Sequence, residues 1–161
     1  MKRVVKAMGY GLIFVLIAGV LLFMAVVRFA PSDPDLWNSA IATGAIAGPG
    51  PCVEQIVAQK NGARAGCLVP GDPAAVLARL AVIAEGWPRT TRLAGTAADG
   101  RITWISRTRI MGFPDYITAQ VTAVAGGSRL EIFARQRFGD GDWGVNAARL
   151  TAWLSALDQG G

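Results

Sequence analysis

The feature that most constrains this chain is an uncharged, apolar stretch close to its N-terminus. Residues 7–27 contain no Asp, Glu, Lys or Arg and are rich in Leu, Val, Ile and Phe. At about 1.5 Å of helical rise per residue, such a stretch covers the ~30 Å hydrocarbon core of a bilayer. The sequence therefore predicts a transmembrane helix over residues 7–27, and the rest of the 161 residues suffices for one domain.

A cleavable signal peptide is the alternative interpretation of this stretch. Its apolar region is usually about 7–15 residues long, and its cleavage site needs small residues at positions −3 and −1. Cleavage after Ala25 would place Phe23 at position −3, and cleavage after Ala30 would place Arg28 there. Neither site fits, so the sequence favours an uncleaved anchor.

The charges that flank the stretch predict its orientation. Lys2, Arg3 and Lys6 precede it and only Arg28 follows closely, so the positive-inside bias places residues 1–6 in the cytoplasm and the domain outside. These four side chains account for four of the sixteen basic residues and for most of the net charge of +5. Because twelve basic residues then face eleven acidic ones, the domain is nearly neutral, and we expect no nucleic-acid partner.

Histidine is absent, and there are two cysteines. The missing imidazole removes histidine-based triads, histidine metal ligands and histidine pH switches. Cys52 and Cys67 cannot complete a tetrahedral zinc site by themselves. If the domain is exported, the oxidising compartment favours a disulfide between them. We therefore expect no metal and no cofactor.

Proline and glycine divide the rest of the chain. Residues 28–51 carry four prolines and three glycines and predict a juxtamembrane linker, followed by a domain over residues 52–158 and a tail over 159–161. Asn61-Gly62 predicts the turn of a hairpin between two apolar runs. With that turn Cys67 would face Ile56, so the disulfide needs another register or an irregular excursion of the chain.

Helical and strand periodicities predict an α+β domain. Asp72-Pro73 is a typical helix start, and a stripe of apolar residues predicts a helix over residues 73–85. Apolar positions near the C-terminus predict a second helix over 146–158. Four strands are predicted between them at 89–97, 101–110, 115–124 and 128–138, joined by short glycine-containing turns. We expect an antiparallel sheet of about four or five strands, with the two helices packed on it.

Four arginines are the main candidates for ligand binding. Strand alternation puts Arg107 and Arg109 on one face of their strand, and Arg135 and Arg137 on one face of theirs. Guanidinium groups bind carboxylate or phosphate bidentately, which predicts an anionic pocket, for example for a lipid headgroup. The alternative is internal pairing with the acids at the ends of these strands, Asp115, Asp140 and Asp142.

The acidic turn before the last helix has its own alternatives. Oxygen ligands alternate along residues 140–146, but the glycine and distal glutamate of a calcium loop are missing. We interpret the turn as structural, with Asp142 or Asn146 capping the helix. Paired carboxylates could perform acid–base work, yet no signal marks a cleft or a catalytic residue. The chain is therefore expected not to be an enzyme.

Two blocks carry a resemblance to a known family. Residues 107–116, with RTR and MGFPDY, and residues 135–157, with RQRFGDGDWG and the helix that follows, resemble the bacterial branch of the family catalogued as domain of unknown function 1499. The resemblance covers residues 52–157, with Gln136 and Trp143 standing where the commoner pattern has Ser and Leu. The family has no assigned activity. Its members are often membrane-anchored, and the resemblance implies a Gram-negative envelope, hence a periplasmic domain.

The expected protein is thus single-pass in the inner membrane and binds a partner or an anionic ligand such as a lipid headgroup. A structural subunit of a membrane complex would instead show an exposed apolar patch without a cavity. A carboxylate-dependent hydrolase would show a cleft with two converging carboxylates.

Overall fold

One long apolar helix precedes the folded domain. The structure is a computed structural model that describes residues 2–42 and 50–160. Helix α1 spans Lys2–Phe29, and its segment Met8–Phe29 has a mean hydropathy of 2.8, so it is long and apolar enough to cross a membrane. A signal sequence can have the same properties. Near its end, Phe23 packs edge-on against Phe113 with ring centroids 6.1 Å apart, so α1 contacts the domain.

The domain contains one antiparallel sheet of six strands, more than the four or five predicted. The order across the sheet is β1-β2-β6-β5-β4-β3. The second strand of the predicted hairpin, β2, pairs with β6, the last strand of the predicted four-stranded meander β3–β6. The strands are β1 Ile56–Gln59, β2 Gly62–Val69, β3 Thr90–Thr96, β4 Arg101–Arg107, β5 Pro114–Val124 and β6 Gly127–Gln136.

Strands β4 and β6 end earlier than predicted. The main-chain N–H of Thr108 donates to the carbonyl of Phe113, and the N–H of Phe113 donates to Oγ1 of Thr108, which closes a loop after β4. Arg109 therefore lies in this loop and Arg137 lies just beyond β6. Strand alternation does not apply to either residue.

The first hairpin turns one residue earlier than predicted. Gln59 pairs with Gly62, so the turn residues are Lys60 and Asn61. Gly62 serves a different purpose, because a Cβ atom there would overlap the carbonyl oxygen of Ala134 on β6. The register thus reflects the close approach of β2 and β6.

The disulfide between Cys52 and Cys67 is present, with Cα atoms 5.1 Å apart. A 3-10 turn over Cys52–Gln55 precedes β1 and brings Cys52 to the middle of β2. The bond is thus made possible by the one-residue shift of the β1–β2 turn together with the irregular turn before β1.

Two helices share a core with one face of the sheet. Helix α3 spans Pro73–Glu85, capped by Asp72, and helix α4 spans Val145–Gln159. Their buried residues form one apolar cluster with inward-facing residues of the strands. At its centre the rings of Trp104 and Trp153, both 0% exposed, meet edge to face at 5.8 Å. Burial of such side chains stabilises the domain by several kcal/mol each, on the order of 3–5 for a tryptophan.

The opposite face of the sheet contacts the segment that follows α1. A short helix, α2, spans Pro34–Trp37 and is capped by Asp33. The carbonyl of Trp37 accepts hydrogen bonds from Oγ1 of Thr118 at 3.2 Å and from Nη2 of Arg135 at 2.8 Å. The predicted linker 28–51 therefore contacts the domain along its first part, and its residues 43–49 lie outside the described residues.

Candidate functional site

Arg135 and Arg137 bind the segment that follows α1. Besides its bond to Trp37, the Arg135 guanidinium lies 5.2 Å from the centre of the Trp37 ring. Burial, and secondly the charge of Arg64, lower the pKa of Arg135, although an arginine stays charged in a protein. Nη1 of Arg137 donates to the carbonyl of Pro31 at 2.6 Å and to the hydroxyl of Tyr116 at 3.1 Å. Both guanidinium groups thus have partners within the fold.

Arg107 and Arg109 also lie at the end of the domain that contacts α1, but among the described residues their guanidinium groups do not bind the segment after α1. Nη1 of Arg107 donates to the carbonyl of Gly112 at 3.0 Å, which holds the β4–β5 loop. Arg109 lies in that loop and is exposed, and no described residue forms a hydrogen bond or an ion pair with its guanidinium. The four predicted arginines therefore do not form one cluster.

The three predicted acids each have another partner. Asp115 forms an ion pair with Arg149 at 3.0 Å, and both side chains are 7% exposed. Asp140 pairs with Lys60 at 2.6 Å in solvent. Asp142 accepts hydrogen bonds from the main-chain N–H groups of Gly144 at 3.0 Å and of Asn146 at 3.1 Å, the arrangement of a cap at the start of α4.

The buried Arg149 was missed by sequence reasoning. Its Nη1 donates to the side-chain oxygen of Asn146, one turn earlier on α4. Its Nε and the Nδ2 of Asn146 are buried and have no hydrogen-bond partner within residues 2–42 and 50–160. A signal was present in the sequence, because both polar residues fall on the helical face of Leu150 and Trp153. Polar residues on a buried stripe indicate a polar site beneath a helix.

In the Asp115–Arg149 pair, loss of hydration on burial has the largest effect on the pKa of Asp115. Burial raises the pKa of Asp115 above its ordinary value, and the charge and hydrogen bond of Arg149 only partly oppose this effect. The negative charge of Asp142 raises the pKa further. Buried ion pairs often cost more in lost hydration than their attraction returns, so this pair is weak evidence for stability and a reason to look for function.

A cleft of about 480 Å³ opens over Arg149, and we call it the arginine cleft. Its walls come from the loop between α3 and β3, the end of β4, the loop after β4 and the first turns of α4. Among the residues that the structure describes, no Asp or Glu lines it. The lining residues that carry charge or an aromatic ring are Trp87, Arg89, Arg107, Arg109 and Arg149.

Arg89 is held in an unusual conformation at this cleft. Its φ of 58° is in the left-handed region, which costs a non-glycine residue about 1–2 kcal/mol. Nε of Arg89 donates to the carbonyl of Arg107 at 3.1 Å, and the carbonyl of Arg89 accepts from the N–H of Arg107 at 3.0 Å. Strained residues held by their surroundings are concentrated at functional sites.

A second cleft, of about 380 Å³, lies beside the first and shares Thr108 and Val145 with it. We call it the acidic cleft, because Asp115, Asp140 and Asp142 line it. The buried pair lies between the two, with Asp115 on one side and Arg149 on the other. Within residues 2–42 and 50–160, no group of three or more acidic or cysteine side chains is arranged to hold a metal ion.

Fold and site together define a class: an α+β domain with a six-stranded antiparallel sheet, carried behind one long apolar helix, with two adjacent clefts lined by arginines and by acids. Within that class, residues 44–157 match the family described as protein of unknown function (DUF1499), and the chain belongs to this family. A comparison with curated proteins finds no match.

Proposed function

We propose that α1 anchors the protein in a membrane and that the arginine cleft binds the anionic headgroup of a lipid in that membrane. The observation that carries the proposal is the lining of the cleft, which among the described residues includes four arginines and no Asp or Glu, while Arg149 is paired with Asp115 of the neighbouring cleft. Guanidinium groups tolerate such crowding when an anion is nearby, and they bind phosphate through paired hydrogen bonds.

The donors in the cleft divide into fixed and free groups. Arg89 and Arg107 are held by the main-chain carbonyls of Arg107 and Gly112. Nη1 and Nη2 of Arg149 are bonded to Asn146 and Asp115, and its Nε is buried with no hydrogen-bond partner among the described residues. Arg109 is exposed and, among described residues, unpartnered. A phosphate in the cleft would supply the acceptors that these groups lack.

The position of the cleft favours a lipid over a free anion. Gly112, which accepts from Arg107, lies against α1, since a Cβ atom there would be 3.4 Å from Nη1 of Arg28. Arg28 follows the predicted span and marks the depth at which basic side chains meet headgroups. The cleft therefore lies beside the depth where lipid phosphates are found.

The charges around α1 and the disulfide support an exported domain. Basic residues are concentrated before the apolar stretch, which by the positive-inside bias keeps the N-terminus in the cytoplasm. A disulfide is typical of the oxidising compartments outside the cytoplasm. In a Gram-negative cell this arrangement corresponds to a single-pass protein of the inner membrane with a periplasmic domain.

Lipid binding can be tested with the full chain in nanodiscs. Phosphatidylglycerol added to phosphatidylcholine discs should bind the wild-type protein, as counted by native mass spectrometry. Arg109→Ala should weaken binding about tenfold or more, because a charge-assisted hydrogen bond contributes about 1.5–3 kcal/mol. Arg79→Ala is the control, because it removes the same charge at the other end of the domain, where Arg79 donates to the carbonyl of Gly160.

Other results of this experiment would favour other functions. If wild type and both variants bind phosphatidylglycerol equally, the arginine cleft is not the lipid-binding site. A protein that co-purifies in a fixed ratio, without bound anionic lipid, would instead support a structural subunit of a membrane complex.

A carboxylate-dependent hydrolase is the second candidate, and one observation favours it. Asp115 and Asp142 line the same cleft, and burial raises the pKa of Asp115 in the direction that a general acid requires. Both side chains are already engaged, by Arg149 and by the start of α4, so we rank this function second. Turnover of an ester, phosphoester or glycoside that Asp115→Asn abolishes would replace the binding function.

A further inference from the structure

We infer that the end of the domain next to α1 is itself a membrane-contact surface, with Ile110 and Trp143 inserted into the outer layer of the same bilayer. This inference rests on the proposed anchoring by α1 but not on headgroup binding. It concerns the apolar tips of the β4–β5 and β6–α4 loops, which lie on either side of the acidic cleft.

The apolar side chains at this end are exposed to an unusual degree. Trp143 is 98% exposed and Ile110 is 76% exposed. Trp87, at the end of α3, and Val145, at the start of α4, are also exposed. The two most exposed large apolar side chains of the domain, Trp143 and Ile110, therefore lie at this end, whereas Val82, Leu68 and Val57 are exposed elsewhere. Tryptophan is the residue most typical of the boundary between lipid and water.

Contacts with α1 give the depth of this surface. Phe113, in the β4–β5 loop, packs against Phe23, which precedes Arg28 by five residues and so lies about 7.5 Å deeper along the helix at 1.5 Å per residue. Apolar groups at a membrane surface commonly reach about 5–10 Å below the headgroups. A loop that contacts α1 at Phe23 is thus at a depth where its apolar neighbours meet lipid.

The conformation of Trp143 is consistent with this role. Its φ of 55° is in the left-handed region, and with 98% exposure its ring gains almost no packing within the domain in return. A bilayer would supply the missing contacts. The exposed acid of the same loop, Asp140, is paired with Lys60 at 2.6 Å, so the loop carries no unpaired carboxylate to the lipid.

The test uses the full chain in phosphatidylcholine nanodiscs that contain a quencher lipid brominated in the upper acyl chain. The two native cysteines form a disulfide, so a single introduced cysteine is the only free thiol for an environment-sensitive fluorophore. Labels go at Ile110→Cys and Trp143→Cys, whose side chains are too exposed for the change to remove packing. Thr122→Cys, exposed at the far end of β5, is the control for the domain, and Leu16→Cys is the control for α1.

Labels at positions 110 and 143 should lose emission to the quencher, whereas the label at 122 should not. Because the lipid is zwitterionic, this loss would report apolar insertion and not binding in the arginine cleft. If labels 110 and 143 behave like 122 while label 16 is quenched, the inference is wrong and the anchoring stands. If label 16 is not quenched either, anchoring by α1 fails and the inference fails with it. Quenching at 110 and 143 that occurs only after anionic lipid is added would also overturn apolar insertion.

Discussion

Trp37 stacks face to face on Tyr116, with ring centroids 3.6 Å apart and planes 6° apart. Tyr116 is on β5 and is fully buried, whereas Trp37 ends the short helix α2 that follows the apolar helix. The stack therefore joins the segment outside the sheet to the face of the sheet that α3 and α4 leave open. Around it, hydrogen bonds from Arg135 and Thr118 to the carbonyl of Trp37 fix the same segment.

Removing this stack should destabilise the domain. Trp37→Ala deletes a half-buried indole, and we expect the free energy of unfolding to fall by about 2–4 kcal/mol. The measurement is denaturant unfolding of the full chain in detergent. Leu36→Ala is the matched control, because Leu36 is the preceding residue and is 64% exposed, and it should change stability by no more than about 0.5 kcal/mol. Equal effects of the two substitutions would contradict a specific role for the stack.

The arginines should separate into stabilising and ligand-binding groups. Arg135→Ala and Arg137→Ala each remove hydrogen bonds from a charged group to a main-chain carbonyl, so each should lower stability by about 1–3 kcal/mol. Amide hydrogen exchange should rise in residues 31–42. Arg109→Ala, which removes no hydrogen bond or ion pair among the described residues, should leave both quantities unchanged. Equal stability of these three variants would contradict the distinction.

The buried carboxyl should make stability depend on pH. Because burial raises the pKa of Asp115 above its ordinary value of 3.8, the folded state binds this proton more tightly than the unfolded state. The contribution of protonated Asp115 to the free energy of unfolding is therefore fully present below pH 3.8. It is lost as the pH rises through the raised pKa. The stability of wild type relative to Asp115→Asn should fall as pH increases over that window. A difference that grows with pH would mean that attraction to Arg149 dominates over desolvation.

The disulfide should contribute a large share of the stability. It closes a loop with a sequence separation of 15, for which the chain-entropy model gives about 3 kcal/mol. Replacing Cys52 and Cys67 together by Ala should lower the free energy of unfolding by about this amount. Wild type treated with reductant should match the variant, and mass spectrometry under alkylating, non-reducing conditions should find no free thiol in untreated protein. Two alkylated cysteines in protein taken directly from the envelope would contradict the exported location.

The orientation of the chain can be tested in cells. The basic residues before the apolar stretch predict that a reporter fused after Gly161, and active only outside the cytoplasm, is active. Changing Lys2, Arg3 and Lys6 to Asn should reduce that activity, because it removes the charge asymmetry. A cytoplasm-only reporter that works at the same junction would overturn the predicted topology.

Local signals in the sequence were enough to predict most of the regular elements of the domain. Asp72-Pro73 and the apolar stripe after it correctly placed the start of α3, and alternation located the four strands of the meander. The family resemblance from residues 107–116 and 135–157 was also confirmed. These features depend on neighbours within a few residues along the chain, where propensity and periodicity carry the information.

Features that depend on distant partners could not be predicted in this way. The carbonyl of Trp37 accepts from Arg135, 98 residues away, so no local pattern distinguishes this packed segment from a linker. The pairing of Asp115 with Arg149 likewise depends on how α4 lies across β5. Asp33-Pro34 repeats the helix-start signal of Asp72-Pro73 and could have indicated α2, but the prolines and glycines around it favoured an irregular segment.

The shortness of the connection after α1 limits where the domain can go. The helix ends at Phe29, and the carbonyl of Pro31 is already bonded to Arg137, so a single residue separates the two attachments. One residue spans at most about 3.6 Å. If α1 is fixed in a bilayer, the connection is too short for the domain to move away from the membrane surface. The domain then diffuses only laterally, together with its helix. In that case, any partner would have to reach the domain at the lipid surface.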